Sequence, residues 1–121
     1  MAKILKCDDC GSIIQVLVED DGDTCDTHML AIPVQTEGEK APKHKPVVEI
    51  DGDKVTVKVG EAAHPMDDDH YIQFLVVEAG AEQYGKCFKP GDVAEATFTV
   101  NSTDDVKALA FCNLHGLWSS E

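Results

Sequence analysis

Basic residues are scarce in this chain of 121 residues, which has 10 lysines and arginines against 23 aspartates and glutamates. The formal net charge of -13 repels phosphate groups, so we expect neither nucleic acid nor an anionic membrane surface as a partner. No apolar run reaches the length of a transmembrane helix, and residues 1–7 lack the pattern of an export signal. We therefore expect a cytoplasmic protein whose thiols stay reduced.

Helical periodicity is also missing, because the chain shows neither a convincing amphipathic helix nor an internal repeat. We expect no stable helix in the connector 36–46, which contains Pro42 and Pro46. Short apolar or alternating segments predict β-structure at 3–7, 13–18, 29–34, 47–50, 54–59, 71–78, 83–88, 93–100 and 106–112. This pattern predicts an all-β protein, an immunoglobulin-like β-sandwich of about seven strands.

The length suits one principal domain with a small appendage. We place the appendage at residues 1–36, which are too few to bury much core unless a metal holds them together. Residues 37–121 contain the remaining strands and form the predicted sandwich domain.

Five cysteines need an explanation other than disulfides if the protein is cytoplasmic. Cys7 and Cys10 form a Cys-x-x-Cys pair, and Cys112 and His115 form a Cys-x-x-His pair. Both spacings let one short turn present two ligands to a single metal ion. Cys87 lies within a predicted strand, where we interpret it as a small core residue.

Four of the five histidines lie in unusual contexts, and these are His44, His64, His70 and His115. Each alone is explained as an exposed loop histidine, whereas the four together with Cys112 indicate a metal site. Imidazole and thiolate bind iron, copper, zinc or nickel. Structural zinc takes four ligands in a closed site, so five candidate ligands favour iron with one position open to a small substrate.

Three segments resemble the superoxide reductases, the family of desulfoferrodoxin and neelaredoxin: Lys-His-Lys-Pro-Val at 43–47, His-Pro-Met to His-Tyr-Ile at 64–72, and Cys-Asn-Leu-His-Gly at 112–116. Residues 7–11 resemble the start of the desulforedoxin-like domain of the two-iron members. The resemblance implies one-electron reduction of superoxide to hydrogen peroxide, a defence against oxidative stress. The implied cofactor is one non-haem iron with four equatorial histidines and an axial cysteine, which are His44, His64, His70, His115 and Cys112.

The resemblance also implies a catalytic role for Lys43, the lysine of the family's Glu-Lys-His motif. Its ammonium is expected to steer superoxide and to orient the water that protonates the product. Lys45, on the other side of His44, and Lys40 are the alternative cations. The implied partners are a rubredoxin-like electron donor and further copies of the chain in a homo-oligomer, either a dimer or a tetramer.

Two departures from the family pattern change these expectations. Pro42 stands where the family has a glutamate that is implied to bind the oxidised iron, so we expect water or hydroxide there instead. The alternative is that Glu39, just upstream, partly substitutes through a rearranged loop. Thr24 replaces one cysteine of the family's adjacent pair, so we expect no four-cysteine iron centre near the N-terminus. Two alternatives remain there, a zinc site or a decayed site without metal, and the candidate ligands are Cys7, Cys10, Cys25 and His28.

Three other functions compete with superoxide reduction. An iron protein that only transfers electrons would have a closed coordination sphere, and a zinc-stapled binding module would be colourless. A non-haem oxygenase with two histidines and a carboxylate fits the ligand set poorly, because it leaves the thiolate and two histidines unexplained.

Overall fold

The structure is a computed structural model that describes residues 3–18 and 29–121. Contacts between Cα atoms divide the chain into two compact units, Met1–Pro33 and Val34–Glu121. The described residues form eleven strands and one short helix, so the expected all-β class is confirmed. In this described part, no helix is long and apolar enough to cross a membrane.

The first unit is a small antiparallel sheet with the strand order β2-β1-β3. Its strands are β1 (Lys3–Cys7), β2 (Ile13–Val16) and β3 (Met29–Ala31). Ile4 and Leu5 in the central strand are its buried apolar side chains among the described residues. The short strands leave little apolar surface to bury, as the sequence predicts.

The second unit contains two sheets, one of five strands and one of three. The first has the order β4-β11-β10-β7-β8, with β4 (Val34–Gln35), β7 (Ile72–Ala79), β8 (Glu82–Cys87), β10 (Lys107–Cys112) and β11 (Gly116–Ser119). The second has the order β5-β6-β9, with β5 (Pro46–Asp51), β6 (Lys54–Val59) and β9 (Glu95–Thr99). Only the β4–β11 pair among these ladders is parallel.

The core of the second unit lies between its two sheets. Val55, Val57 and Val59 of β6 are buried while Lys58 is exposed, because successive side chains of a strand point to opposite faces. These valines share one apolar cluster with residues of β7 and β10 from the other sheet. The unit is therefore a β-sandwich, and the ends of its strands position the loops described below.

The connector 36–46 contains a one-turn helix, α1 (Ala41–His44), so the expectation of no helix is wrong. Pro42 lies in the first turn, where its missing N–H group is not needed, and Pro46 begins the next strand after the helix has ended. The Lys45 N–H group donates to the Ala41 carbonyl over 2.8 Å and closes the turn. The expectation failed because a proline breaks a helix only in its interior, and neither Pro42 nor Pro46 lies in the interior of α1.

Gly60, just after β6, lets the chain approach α1 closely. Its φ angle is +86°, and a Cβ atom there would lie 2.7 Å from the carbonyl oxygen of Lys43. The Ala62 N–H group donates to the Pro42 carbonyl over 3.1 Å. The helix and the following loop are thus held against each other through backbone atoms.

Two further expectations need correction. Cys87 is exposed rather than part of the core, because β8 is the edge strand of its sheet. The strands β4 and β11 were not predicted, since they are only two and four residues long and one begins at a glycine.

Candidate metal centre

The five predicted iron ligands come from four separate segments of the second unit. His44 ends α1, His64 follows β6, and His70 precedes β7. Cys112 ends β10, and His115 lies in the turn that leads to β11. One ligand atom from each of His44, His70, Cys112 and His115 lies within 4.8 Å of all the others, and this is the only such group of three or more in the described part of the chain.

The four imidazole rings occupy the corners of a square. Neighbouring ring centroids are 4.5 Å apart for His44–His64, 4.8 Å for His64–His70, 5.0 Å for His70–His115 and 4.9 Å for His115–His44. Neighbouring ring planes are close to perpendicular, at 78° to 88°. The His44 and His70 rings are diagonal, 6.4 Å apart and 26° from parallel. The rings therefore surround one central point.

Backbone carbonyls fix the tautomers of two of these rings. His44 Nδ1 lies 2.7 Å from the Lys40 carbonyl oxygen, and His64 Nδ1 lies 2.6 Å from the Pro65 carbonyl oxygen. A carbonyl only accepts hydrogen bonds, so both Nδ1 atoms carry a proton and both Nε2 atoms present a lone pair. Yet the two Nε2 atoms are only 3.0 Å apart. Two lone pairs facing each other at this distance fit a cation that binds both.

The remaining donor atoms point to the same place. His70 Nε2 is buried and has no hydrogen-bond partner among the described residues. His115 Nδ1 lies 3.1 Å from His44 Nε2 and 3.8 Å from the Sγ atom of Cys112, which is fully buried. An unsatisfied buried nitrogen costs about 1–3 kcal/mol, which a metal bond offsets. Four imidazole nitrogens and one thiolate are a donor set that fits iron.

Burial favours the neutral form of His44, His64 and His115, as metal ligation requires. It lowers the pKa of His64 to about 4 and also lowers the pKa of His44 and His115. The Lys40 ammonium group further lowers the pKa of both His44 and His115 by charge repulsion. Lys40 therefore places positive charge near the site.

Asn113 holds both neighbours of His70. Its Oδ1 atom accepts from the Tyr71 N–H group over 3.0 Å, and its Nδ2 group donates to the Asp69 carbonyl over 3.0 Å. Its backbone N–H group donates to the Tyr71 carbonyl over 3.2 Å. Sequence reasoning missed this role, although the position of Asn113 between the candidate ligands Cys112 and His115 was a usable signal.

Gln35 and Trp118 fix the backbone at His115. Gln35 Nε2 donates to the His115 carbonyl over 2.7 Å, and Trp118 Nε1 donates to the same oxygen over 3.1 Å. The Trp118 ring also stacks on His44, with centroids 5.4 Å apart. Sequence reasoning missed Gln35 because it lies 80 residues from His115, and only the β4–β11 pairing brings the two together.

Comparison with known proteins identifies the family. The desulfoferrodoxin family profile matches residues 36–121. The chain belongs to the desulfoferrodoxin family. A desulfoferrodoxin homolog of Archaeoglobus fulgidus is 44% identical over 120 residues, which cover 98% of this chain and 95% of the relative.

Superoxide reductases are among the similar proteins. The superoxide reductase of Thermococcus kodakarensis is 31% identical over 111 residues, covering 77% of this chain and 96% of that protein. The crystal structure of the superoxide reductase from Treponema pallidum superposes with a TM-score of 0.82 at 32% identity, covering 100% of this chain and 98% of that chain. The resemblance stated from the sequence motifs is thus confirmed.

The lysines near this desulfoferrodoxin site differ in their surroundings. Lys43 is exposed on α1 directly before His44. Lys45 Nζ instead donates to the carbonyls of Thr36 and Glu121, which ties it to the end of the chain. Of the two alternative cations, Lys40 is therefore the better placed to act on the site.

The N-terminal cysteine pair forms a tight turn. The Cys10 N–H group donates to Cys7 Sγ over 3.3 Å, and the Cys10 thiol lies 3.2 Å from Ser12 Oγ. Hydrogen bonding to Ser12 lowers the pKa of Cys10 to about 7. Cys25 and His28, the other two candidate ligands, lie outside the described residues. Both alternatives for this unit, a zinc site and a decayed site without metal, stay predictions.

Proposed function

We propose that this protein is a superoxide reductase that converts superoxide to hydrogen peroxide at one non-haem iron. The observation that carries the proposal is the cluster of His44, His70, His115 and Cys112 together with the His64 ring beside it, whose Nε2 lone pair faces that of His44 at 3.0 Å. Similar proteins named superoxide reductase support the choice of reaction. The ligands that we assign are His44, His64, His70, His115 and Cys112.

Iron held by these five residues would supply the single electron that, with two protons, turns superoxide into hydrogen peroxide. The four neutral imidazoles add no charge, and the Cys112 thiolate adds one negative charge, so the ferrous site keeps a net positive charge that attracts an anion. The buried thiolate also donates electron density to the metal, which favours electron transfer. The protein then needs a reductant, and we propose a rubredoxin-like donor.

Local positive charge is needed because the whole chain repels anions, with a net charge of -13. We assign this role to Lys43, which is exposed beside the ligand His44. Its ammonium group attracts superoxide and orients the water that delivers the protons. Lys40, one helical turn before His44, contributes to the same positive potential.

Pro42 brings no ligand atom to the iron, since its side chain is a hydrocarbon ring. We therefore propose water or hydroxide as the additional ligand of the oxidised iron. We further propose that the second unit, Val34–Glu121, forms the catalytic domain, that the first unit is desulforedoxin-like, and that the chain assembles into a homo-oligomer.

Stopped-flow mixing of reduced, iron-loaded protein with superoxide tests the proposal. We expect one hydrogen peroxide for each iron oxidised and no dioxygen. Cys112→Ser should lose the thiolate-to-iron absorption band and most of the reaction, whereas the control Cys87→Ser should keep both because Cys87 is exposed on the edge strand. Dioxygen release, or an unchanged spectrum in Cys112→Ser, would contradict the proposal.

The same assay tests the lysines. Lys43→Ala should slow the second-order reaction roughly 10-fold at low ionic strength, and the defect should shrink as salt screens the wild-type advantage. Lys40→Ala should show a smaller defect with the same salt dependence. Lys54→Ala is the matched control, because this exposed lysine begins β6 at the end remote from Gly60. Equal rates for Lys43→Ala and the control at low salt would refute the assignment.

A further inference from the structure

The N-terminal turn brings two thiols together in a geometry that suits sulfur chemistry. The Cys7 carbonyl accepts from the Gly11 N–H group over 3.0 Å, and the Cys7 N–H group donates to the Ser12 carbonyl over 2.8 Å. These bonds fold the chain back on itself, and the Cys10 N–H group then reaches Cys7 Sγ at 3.3 Å. Both thiols therefore lie on the same side of one short turn.

The two thiols differ in their access to solvent. Cys10 is exposed, whereas Cys7 is half-buried at the end of β1. A cleft of about 730 Å³, lined by both cysteines and by Leu30 and Pro33, opens beside them. The Ser12 hydroxyl lies 3.2 Å from Cys10 Sγ and can donate to the thiolate once the thiol has lost its proton. Cys10 suits an attacking thiol and Cys7 a resolving one.

We propose that Cys7 and Cys10 form a peroxide-responsive dithiol that converts reversibly to a disulfide. The Cys10 thiolate attacks hydrogen peroxide, which leaves a sulfenic acid on Cys10 and releases hydroxide. The Cys7 thiol then attacks the sulfenic sulfur, which forms the S–S bond and releases water. In total, two thiols are oxidised and one hydrogen peroxide is reduced to two waters. A dithiol reductant restores both thiols by exchange.

The source of the peroxide rests on the proposed function, since hydrogen peroxide is the product assigned to the iron site. The chemistry of the thiol pair does not depend on that assignment. The disulfide would record hydrogen peroxide that the second unit releases.

Peroxide added directly to the reduced, full-length, iron-free protein tests the thiol pair. Free thiols are alkylated, and the protein is cleaved by a protease that cuts before aspartate. Asp8 and Asp9 lie between the two cysteines, so Cys7 and Cys10 end on different peptides. We expect mass spectrometry to find these peptides joined, with the loss of two hydrogens, and separated again after treatment with dithiothreitol. Cys87, an exposed single cysteine, should be recovered alkylated.

Two variants sharpen the result. The double variant Cys25→Ser/Cys87→Ser should still form the link, because neither residue takes part in it. Ser12→Ala should form it more slowly, because the thiolate loses a hydrogen-bond donor. Unlinked Cys7 and Cys10 after peroxide treatment, or a link from Cys10 to Cys25 in its place, would overturn the proposal, and so would a metal that protects both thiols in the isolated protein.

A separate arm distinguishes failure of the thiol proposal from failure of the enzyme proposal. Reduced, iron-loaded protein is given superoxide with and without catalase, which removes hydrogen peroxide, and iron-free protein given the same superoxide is the control for peroxide formed by uncatalysed dismutation. We expect more link in the iron-loaded protein than in the iron-free control, and its loss with catalase. A link after direct peroxide but equal links in the iron-loaded and iron-free protein after superoxide would count against the iron chemistry while leaving the dithiol assignment intact.

Discussion

Replacing Asn113 by alanine should weaken iron binding without removing a ligand. The side chain holds the backbone on both sides of His70, through the Tyr71 N–H group and the Asp69 carbonyl. Without these two bonds the loop that carries His70 gains freedom, and the imidazole must be ordered again when the metal binds. Removing a group that orients a metal ligand typically weakens metal affinity 10- to 100-fold.

The two hydrogen bonds of the Asn113 side chain narrow this expected range of affinity loss. Each hydrogen bond contributes roughly 1 kcal/mol net, and the bond to Asp69 is exposed and thus at the weaker end. The loss is therefore about 1–2 kcal/mol, which corresponds to a roughly 5- to 30-fold weaker iron affinity. The backbone bond from the Asn113 N–H group to the Tyr71 carbonyl survives the substitution, which keeps the effect from growing further.

Competition with a chelator of known iron affinity measures this change, and the absorption band of the loaded protein reports the ligand set. The control is Asn101→Ala, which removes one exposed hydrogen bond to Glu82 in a loop that carries no ligand. We expect an unchanged affinity in that control. If Asn113→Ala binds iron as tightly as Asn101→Ala does, His70 is positioned by other contacts and the reasoning fails.

Two further predictions concern the scaffold and the pH. Gly60→Ala should lower the free energy of unfolding in urea by more than about 2 kcal/mol, because the new Cβ atom meets the Lys43 backbone. The control Gly52→Ala also has a positive φ but no atom within 4 Å of the new Cβ, so it should lose only about 1 kcal/mol. Equal losses in the two variants would refute the contact between Gly60 and the Lys43 backbone. The iron-free protein should lose stability as the pH falls from about 6.5 towards 4. His64 has a pKa of about 4 in the folded protein, so in this pH range histidine binds protons in the unfolded chain but not in the folded one. His64→Gln should flatten that slope, and an unchanged slope would contradict it.

The grouping of His44, His70, Cys112 and His115 was predictable from sequence because its signals are local. A Cys-x-x-His spacing, such as that of Cys112 and His115, needs only one turn to present two donors. The strands β6 and β7 were predictable for the same reason. Apolar and polar residues alternate along β6, and β7 is an almost continuous apolar run, so each strand has its own local sequence signal. Their ends then place His64 and His70 at the site.

The supporting contacts were not predictable because they join distant parts of the chain. Gln35 reaches His115 only after β4 has paired with β11, and a two-residue strand has no period to detect. The sequence around Gly60 does not indicate its contact with α1, because that contact exists only in the folded protein. The exposure of Cys87 likewise follows from the edge position of β8 in the sheet order, which a single strand does not reveal.

The short helix α1 links the choice of residue 42 to the metal centre. Proline there removes the family's carboxylate, yet it suits the first turn of a helix, and its carbonyl accepts from the Ala62 N–H group in the loop that leads to His64. The helix ends at His44, whose tautomer is set by the Lys40 carbonyl one turn earlier. The same turn thus aligns two imidazoles and carries Lys43, with Lys40 at its N-cap and no carboxylate within Ala41–His44. In a chain so acidic overall, proline at the position of the glutamate that the resemblance implies would leave the approach to the proposed iron more positive, which would suit the proposed anionic substrate.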